Sequence, residues 1–411
     1  MMLMSVTERF VRLCGEVGNL TKELTGVSVV DAYFGPAHLS PLRQPTNRSG
    51  LDLHAELMAV SDAANEELTD TPLRAAYVSS EARSLAGVCE WIDGGTMPYQ
   101  KVAETLFSLK VHPYPDSLVE RLRATVAEAL SAPDDEALYD AVRIFQDEGL
   151  IEGAELEEWI GGTLEQRSTE VGRLFDERVF SKMGVRVTDN GVLYETVRGK
   201  PWSGYNYYQG NFKSVNQFNI DRRFNRDSIM GIVYHEYEHH VSNLWREKAY
   251  REKGFVELSI IPLHTGRCVI SEGTADTAKD FLGIKDEDPR ALVVDALYAL
   301  RRVVSINAAF MMNVEGVTRE EAASYIAENG LRDLKDASAS VDFIAPETPD
   351  GRPNFWAPYV FTYYIGRTDF VFPTWKRAVE RGEITRFFKT LYLNPFSGSS
   401  ATWNEAFAWL D

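Results

Sequence analysis

The chain is short of cysteine, of histidine and of positive charge, and it has no long apolar run. Its three cysteines, Cys14, Cys89 and Cys268, are scattered through 411 residues. The set is odd in number and fits no metal-ligand spacing, so neither a disulfide framework nor a cysteine zinc site is expected. No stretch approaches eighteen uninterrupted apolar residues, which argues against a membrane-spanning helix. The first residues, Met1-Met2-Leu3-Met4-Ser5-Val6-Thr7-Glu8-Arg9, lack the basic region and long apolar core of a secretory signal, and a cytoplasmic protein is expected. Against 61 Asp and Glu stand 43 Lys and Arg, a formal charge of −18. Such a field repels nucleic acid and anionic membrane surfaces before any specific contact forms, so neither is an expected partner. Much of the acid falls in 134–136 and 147–158, which read as solvated helix faces and name no substrate.

What is present is enough apolar residue, 44%, for a fully folded chain with a large core and room for two lobes. Amphipathic periodicity predicts helices over 5–24, 52–68, 71–91, 97–109, 115–131 and 135–147, and again over 288–309 and 318–328. Between 184 and 221 the pattern changes. Residues 185–187, 192–197 and 212–220 read as short strands, Asp189-Asn190-Gly191 as a hairpin turn, and 202–210 as a loop rich in Gly, Tyr and Asn. The expected fold is mainly α with a small β-sheet (α+β). A helical N-terminal lobe would span 1–180, and a C-terminal lobe of 181–411 would carry the sheet.

Three of the seven histidines stand in Tyr234-His235-Glu236-Tyr237-Glu238-His239-His240, two of them four apart with a glutamate directly after the first. This spacing arises by chance in roughly one such chain in a hundred. Asn225 to Ser228 offer N-caps, and no proline follows until well past Lys253, so the motif lies mid-helix. Four residues of helix bring His235 and His239 to within about 40° of each other, where both can reach one tetrahedral ion. Glu236 is turned about 100° from His235, too far for a natural ligand but placed to take a proton from a metal-bound water. Met230, Val233, Tyr237, Val241 and Leu244 form an apolar stripe on the other side. His240 leans toward that stripe and reads as packed, and Glu238 as solvated or paired.

A catalytic zinc usually has three protein ligands and an open position, so a third is needed. The best candidate segment is 269–281, a second helix starting near Ser271, with Glu272 and Asp276 on one face. Asp276 is placed to accept the free ring N–H of a ligand histidine. Gly273, Ala275 and Ala278 are small enough for helices to approach closely. His235-Glu236-x-x-His239 followed by Glu272-x-x-x-Asp276 resembles the gluzincin clan of zinc metallopeptidases, to which thermolysin and the helical oligopeptidases belong. The resemblance covers about fifty residues. It implies one zinc per chain held by His235, His239 and Glu272, with Glu236 as general base and Asp276 orienting a ligand histidine. It also implies a helical gluzincin-like architecture with the zinc between the lobes. The gap from His239 to Glu272 is longer than in thermolysin and includes the charged run 246–253, so a loop or helix extension is expected there.

Hydrolysis of a peptide bond builds an oxyanion that needs a donor besides the metal. The segment 356–370 holds three tyrosines and an arginine. By the resemblance a C-terminal tyrosine does this, with Tyr363 or Tyr364 matching by position. Arg367 would bind a substrate carboxylate. His264 is a weaker candidate donor, and Asp280 a weaker rival to Asp276. The strand 215–220 stands where thermolysin-like enzymes pair with the substrate backbone. The leading expectation is a zinc peptidase acting on peptides. The alternatives are a gluzincin-like zinc protein with another hydrolytic role or none, and a helical interaction protein without metal.

Overall fold

The computed structural model describes residues 4–69, 71–95, 97–200, 202–284 and 288–410. Met1 to Leu3, the first residues of the stretch read above as lacking a secretory signal, lie outside them. The protein is mainly helical with small sheets. Local signals set most helix ends. Ser5 closes a capping box with Glu8 at the start of Val6–Thr25, and Gly26 ends that helix at φ 81°. Ser49, Asp134, Asp288 and Thr318 cap their helices through side-chain oxygens in the same way.

Among the described residues seven strands make three sheets: β1 (Val30–Tyr33), β2 (Leu150–Ile151), β3 (Val192–Val197), β4 (Gly204–Gly210), β5 (Lys213–Asn219), β6 (Phe224–Asn225) and β7 (Ile260–Pro262). β1 pairs with β7 and β2 with β6, and the largest sheet has the order β3-β5-β4. Here the structure departs from the expected hairpin. Residues 185–187 form no strand, the supposed loop is β4, and β3 runs parallel to β5. The hairpin joins β4 to β5 through Asn211 and Phe212, both at positive φ (53° and 57°). Two successive left-handed residues suit a tight antiparallel turn, though a phenylalanine there is strained. Glu247 holds that turn by accepting from the backbone N–H of both Asn211 and Phe212 at 2.9 Å.

A 28-residue helix, Arg226–Lys253, carries the histidine motif; we call it the metal helix. The Asn225 side chain accepts from Asp227 N at 2.8 Å to start it, and Gly254 at φ 70° stops it. The charged run 246–253 is therefore a straight continuation of this helix. Residues Gly266–Phe281 form the glutamate helix, which packs against it. That helix begins five residues before the expected Ser271. Gly273 turns out to serve a different neighbour, since a Cβ there would collide with the backbone of Gly366.

Apolar side chains gather in two main clusters. One takes residues from 6–145 together with 249–365 and Phe396, and the other from 151–245, 270–282 and 371–410. The metal and glutamate helices contribute to both, Ala249 and Val269 to the first and Val241 and Ile270 to the second. Their facing sides are thus set between two cores. Among the described residues no helix is long and apolar enough to cross a membrane.

Candidate metal centre

Three lone-pair atoms converge where the metal helix meets the glutamate helix. His235 Nε2 and His239 Nε2 are 3.1 Å apart, and Glu272 Oε2 lies 3.2 Å from the first and 3.7 Å from the second. Ligand atoms about 2.0–2.2 Å from a tetrahedral ion are separated by about 3.4 Å, so this triangle has the size of one face of a zinc tetrahedron. His235, His239 and Glu272 can hold a metal ion.

The outward atoms of all three are engaged. Asp276 Oδ1 lies 2.7 Å from His235 Nδ1. A carboxylate only accepts, so Nδ1 carries the proton and the Nε2 lone pair of His235 is left for the shared point. Ser271 Oγ meets His239 Nδ1 at 3.2 Å, and Tyr359 donates to Glu272 Oε1 at 2.7 Å. Glu272 Oε2, by contrast, is buried without any hydrogen-bond donor. A buried carboxylate oxygen without a donor is costly, and a cation at the shared point would satisfy it together with both imidazoles. The donor set fits zinc.

The electrostatics agree. Burial alone disfavours a charged His235, but the Asp276 and Glu272 carboxylates beside it outweigh that and raise its pKa well above the usual value. His239 is raised too, with burial opposed by the Glu272 charge. Glu272 is depressed far below the carboxylate range, because the two histidines overcome its burial. The site is built to hold positive charge, whether as protons or as a metal.

Glu236 is not in the triangle. It is 6% exposed and lines the cavity in front of the site, and burial raises its pKa. Gly204 at the start of β4 lies against it: a Cβ there would stand 2.9 Å from Ile232 Cγ2 and 3.4 Å from Glu236 Oε1. The cavity measures about 90 Å³ and draws its walls from β4 (Gly204, Tyr205, Asn206), from β7 and from Trp356, Tyr359 and Tyr363.

The remaining expectations divide. Tyr363 lines the cavity and its ring packs under the Arg302 guanidinium at 4.0 Å. Tyr364 points elsewhere, edge-on to Tyr114 at 5.5 Å. Arg367 is outside the lining as well, with Nη1 bonded to Asp280 and to the Asp276 carbonyl, each at 2.7 Å. That pairing also occupies Asp280. His264 is buried against Phe355 and bonds its carbonyl. Burial pushes its pKa down to about 3. His240 is fully buried between Ser214 and Asp189, and Glu238 is buried with Ser242 and Tyr392 as donors. β5 is the central strand, so the run 215–220 has no free edge; the open edge near the site belongs to β4.

Four residues at the site escaped sequence reasoning: Tyr359, Ser271 as a partner of His239, Asp31 hydrogen-bonded by Tyr205, and Arg267. Only the first had a local signal. Tyr359 and Tyr363 are four apart, so on a helix they share a face that Tyr364 does not.

No protein-family model and no curated protein matches this chain. Among solved structures it is similar to one described as a "putative lipoprotein" from Colwellia psychrerythraea, at a TM-score of 0.59 and 14% identity, covering 90% of this chain and 71% of that one. A second, a "putative lipoprotein of unknown function" from Shewanella oneidensis, matches at a TM-score of 0.49 and 12% identity, covering 87% of this chain and 66% of that one. At these identities the likeness concerns the fold alone.

Proposed function

We propose that this protein is a zinc-dependent peptidase. The observation that carries the reading is the triangle of His235 Nε2, His239 Nε2 and Glu272 Oε2, with Glu236 beside it in a cavity bordered by a strand edge. A divalent ion held there would supply Lewis acidity, polarising a substrate carbonyl and acidifying water.

The chain's own residues do the rest. Glu236 takes a proton from the attacking water and passes it to the leaving amine; burial raises its pKa and so makes it a better base than an exposed carboxylate. Tyr363 is the hydroxyl donor for the developing oxyanion, held by the ring contact with Arg302. Arg302 bonds Tyr298, which donates to Asp276 Oδ2 at 2.6 Å, so the donor and the His235 support share one network. The backbone of Gly204 to Asn206 would pair with an extended peptide, a mode that tolerates many side chains. Tyr359 keeps the Glu272 carboxylate oriented.

Glu236→Gln tests the reading. It should keep about one zinc per chain and lose hydrolysis of a peptide library by about 10³-fold. Full activity in that variant would defeat the mechanism. The cytoplasmic location is part of the proposal, and the word lipoprotein in the description of the Colwellia psychrerythraea structure favours the cell envelope as the second reading. Cell fractionation with an antibody to the protein decides between them.

A further inference from the structure

We propose that Arg267 anchors the C-terminal carboxylate of the substrate, so that the site takes peptides by their free end and cuts one or two residues from it. This rests on the peptidase reading above. The metal and glutamate helices run antiparallel across the site: His235 meets Asp276, and one turn on His239 meets Ser271. A further turn along each brings Asn243 opposite Arg267, and both line the cavity. Arg267 is the one Lys or Arg among the described lining residues, whose other charges are Asp31, Glu236 and Glu272.

Carboxylates lie near it, Glu81 and Asp31, but neither is paired with its side chain. Arg267 is 8% exposed, yet its guanidinium makes no ion pair among the described residues. Nε and Nη2 reach the Pro262 carbonyl at 3.4 and 3.3 Å, and Nη2 lies 3.6 Å from Cys268 Sγ. Glu81 accepts from the Arg267 backbone N–H at 3.1 Å, not from the side chain. Asp31 is taken by the Tyr205 hydroxyl. Arg48, Arg74, Arg290 and Arg367 all have carboxylate partners, and Arg246, which is buried without one, lies outside the lining. A buried guanidinium that faces a cleft with no carboxylate bonded to it can be completed by an anionic ligand.

The spacing selects which anion. One helical turn of four residues is about 6 Å. An extended residue spans about 3.3–3.6 Å. One or two residues therefore bridge a carbonyl beside His239 and a carboxylate on Arg267. The aromatic wall of Trp356 and Tyr359 and the small cavity suit a chain end better than a continuing chain.

The test is calorimetric titration of Glu236→Gln protein with N-acetyl-Ala-Ala-Phe as the free acid and as the amide. The acid should bind at least 10-fold tighter. Arg267→Gln in that background should remove the preference, with Arg267→Lys retaining part of it and Arg367→Gln all of it. Equal binding of acid and amide, binding of neither, or loss of the preference only in Arg367→Gln would overturn the proposal. The acid and amide comparison needs no substitution at Arg267 and so survives any folding defect there. Hydrolysis by the unmodified protein separates the two readings: equal cleavage of both forms keeps the peptidase and removes the anchor, whereas no cleavage with an Arg267-dependent acid preference keeps the anchor and removes the peptidase.

Discussion

His239 and His240 are adjacent on one helix, yet the first faces the cavity and the second is fully buried, and they belong to different chemical regions. His240 has both ring nitrogens matched, to Ser214 Oγ at 2.8 Å and Asp189 Oδ1 at 2.9 Å. A few residues on, Glu247 accepts from Tyr208, Asn211, Phe212 and Arg251. His239 has one nitrogen on Ser271 and directs the other at His235 Nε2 and Glu272 Oε2. The difference lies in pairing as well as in burial. Donors and acceptors that complement one another make a structural joint, while acceptors that converge on acceptors mark a place for a cation.

The contrast can be broken most directly by exchanging the two histidines' fates. His239→Ala should take bound zinc from about one per chain to near none while leaving the circular dichroism unchanged. His240→Ala should keep the zinc and cost about 2 kcal/mol in urea unfolding, because Ser214 and Asp189 lose their buried partner. The reverse pattern in metal analysis would abolish the distinction. On the structural side, Glu247→Ala should destabilise by about 3 kcal/mol, since it strands the hairpin N–H groups and Tyr208, again with zinc content intact.

At the site, Asp276→Asn sharpens the comparison by weakening a support without touching a ligand. Zinc affinity should drop about 10–100-fold in a competition assay with a chromophoric chelator. An unchanged affinity would mean that the 2.7 Å bond to His235 does not tune the site. His264 gives the smallest effect. Its folded pKa, pushed down to about 3, lies below the unfolded value of about 6.5. The stability it contributes is complete above pH 6.5 and is lost as the pH falls from there toward 3, because the unfolded chain takes up the proton first. The expected loss is about 1 kcal/mol between pH 6 and pH 5. His264→Asn, which tolerates the local φ of 59°, should flatten that part of the curve.

Much of the helical frame was legible because helix starts and stops are written locally. The six predicted N-terminal helices lie within about two residues of those observed at nearly every end. The sheet was not. Asn190-Gly191 has the composition of a hairpin turn and does form an Asx-type bond, Gly191 N to Asp189 Oδ1 at 2.7 Å. The strand after it nevertheless pairs with β5, and the hairpin forms at Asn211-Phe212, a pair with weak turn propensity supported by Glu247 from another element. The same limit separated Tyr359 from Tyr364 and Arg267 from Arg367. Each pair offers equivalent chemistry, and the choice depends on which face meets a helix far away in sequence.

By itself the sequence determined what interactions within one helical turn determine: that His235 and His239 share a face, that Glu236 stands beside them, and that Asp276 lies one turn from Glu272. Only the tertiary structure decided that Glu272 Oε2 reaches both imidazoles, that His240 and Glu247 are sealed while His239 is not, and that β4 supplies the free edge. The physical reason is the range of the forces. Helical spacing and capping act over four residues or fewer, whereas the triangle of ligand atoms depends on two helices, set between two hydrophobic cores, meeting at one register.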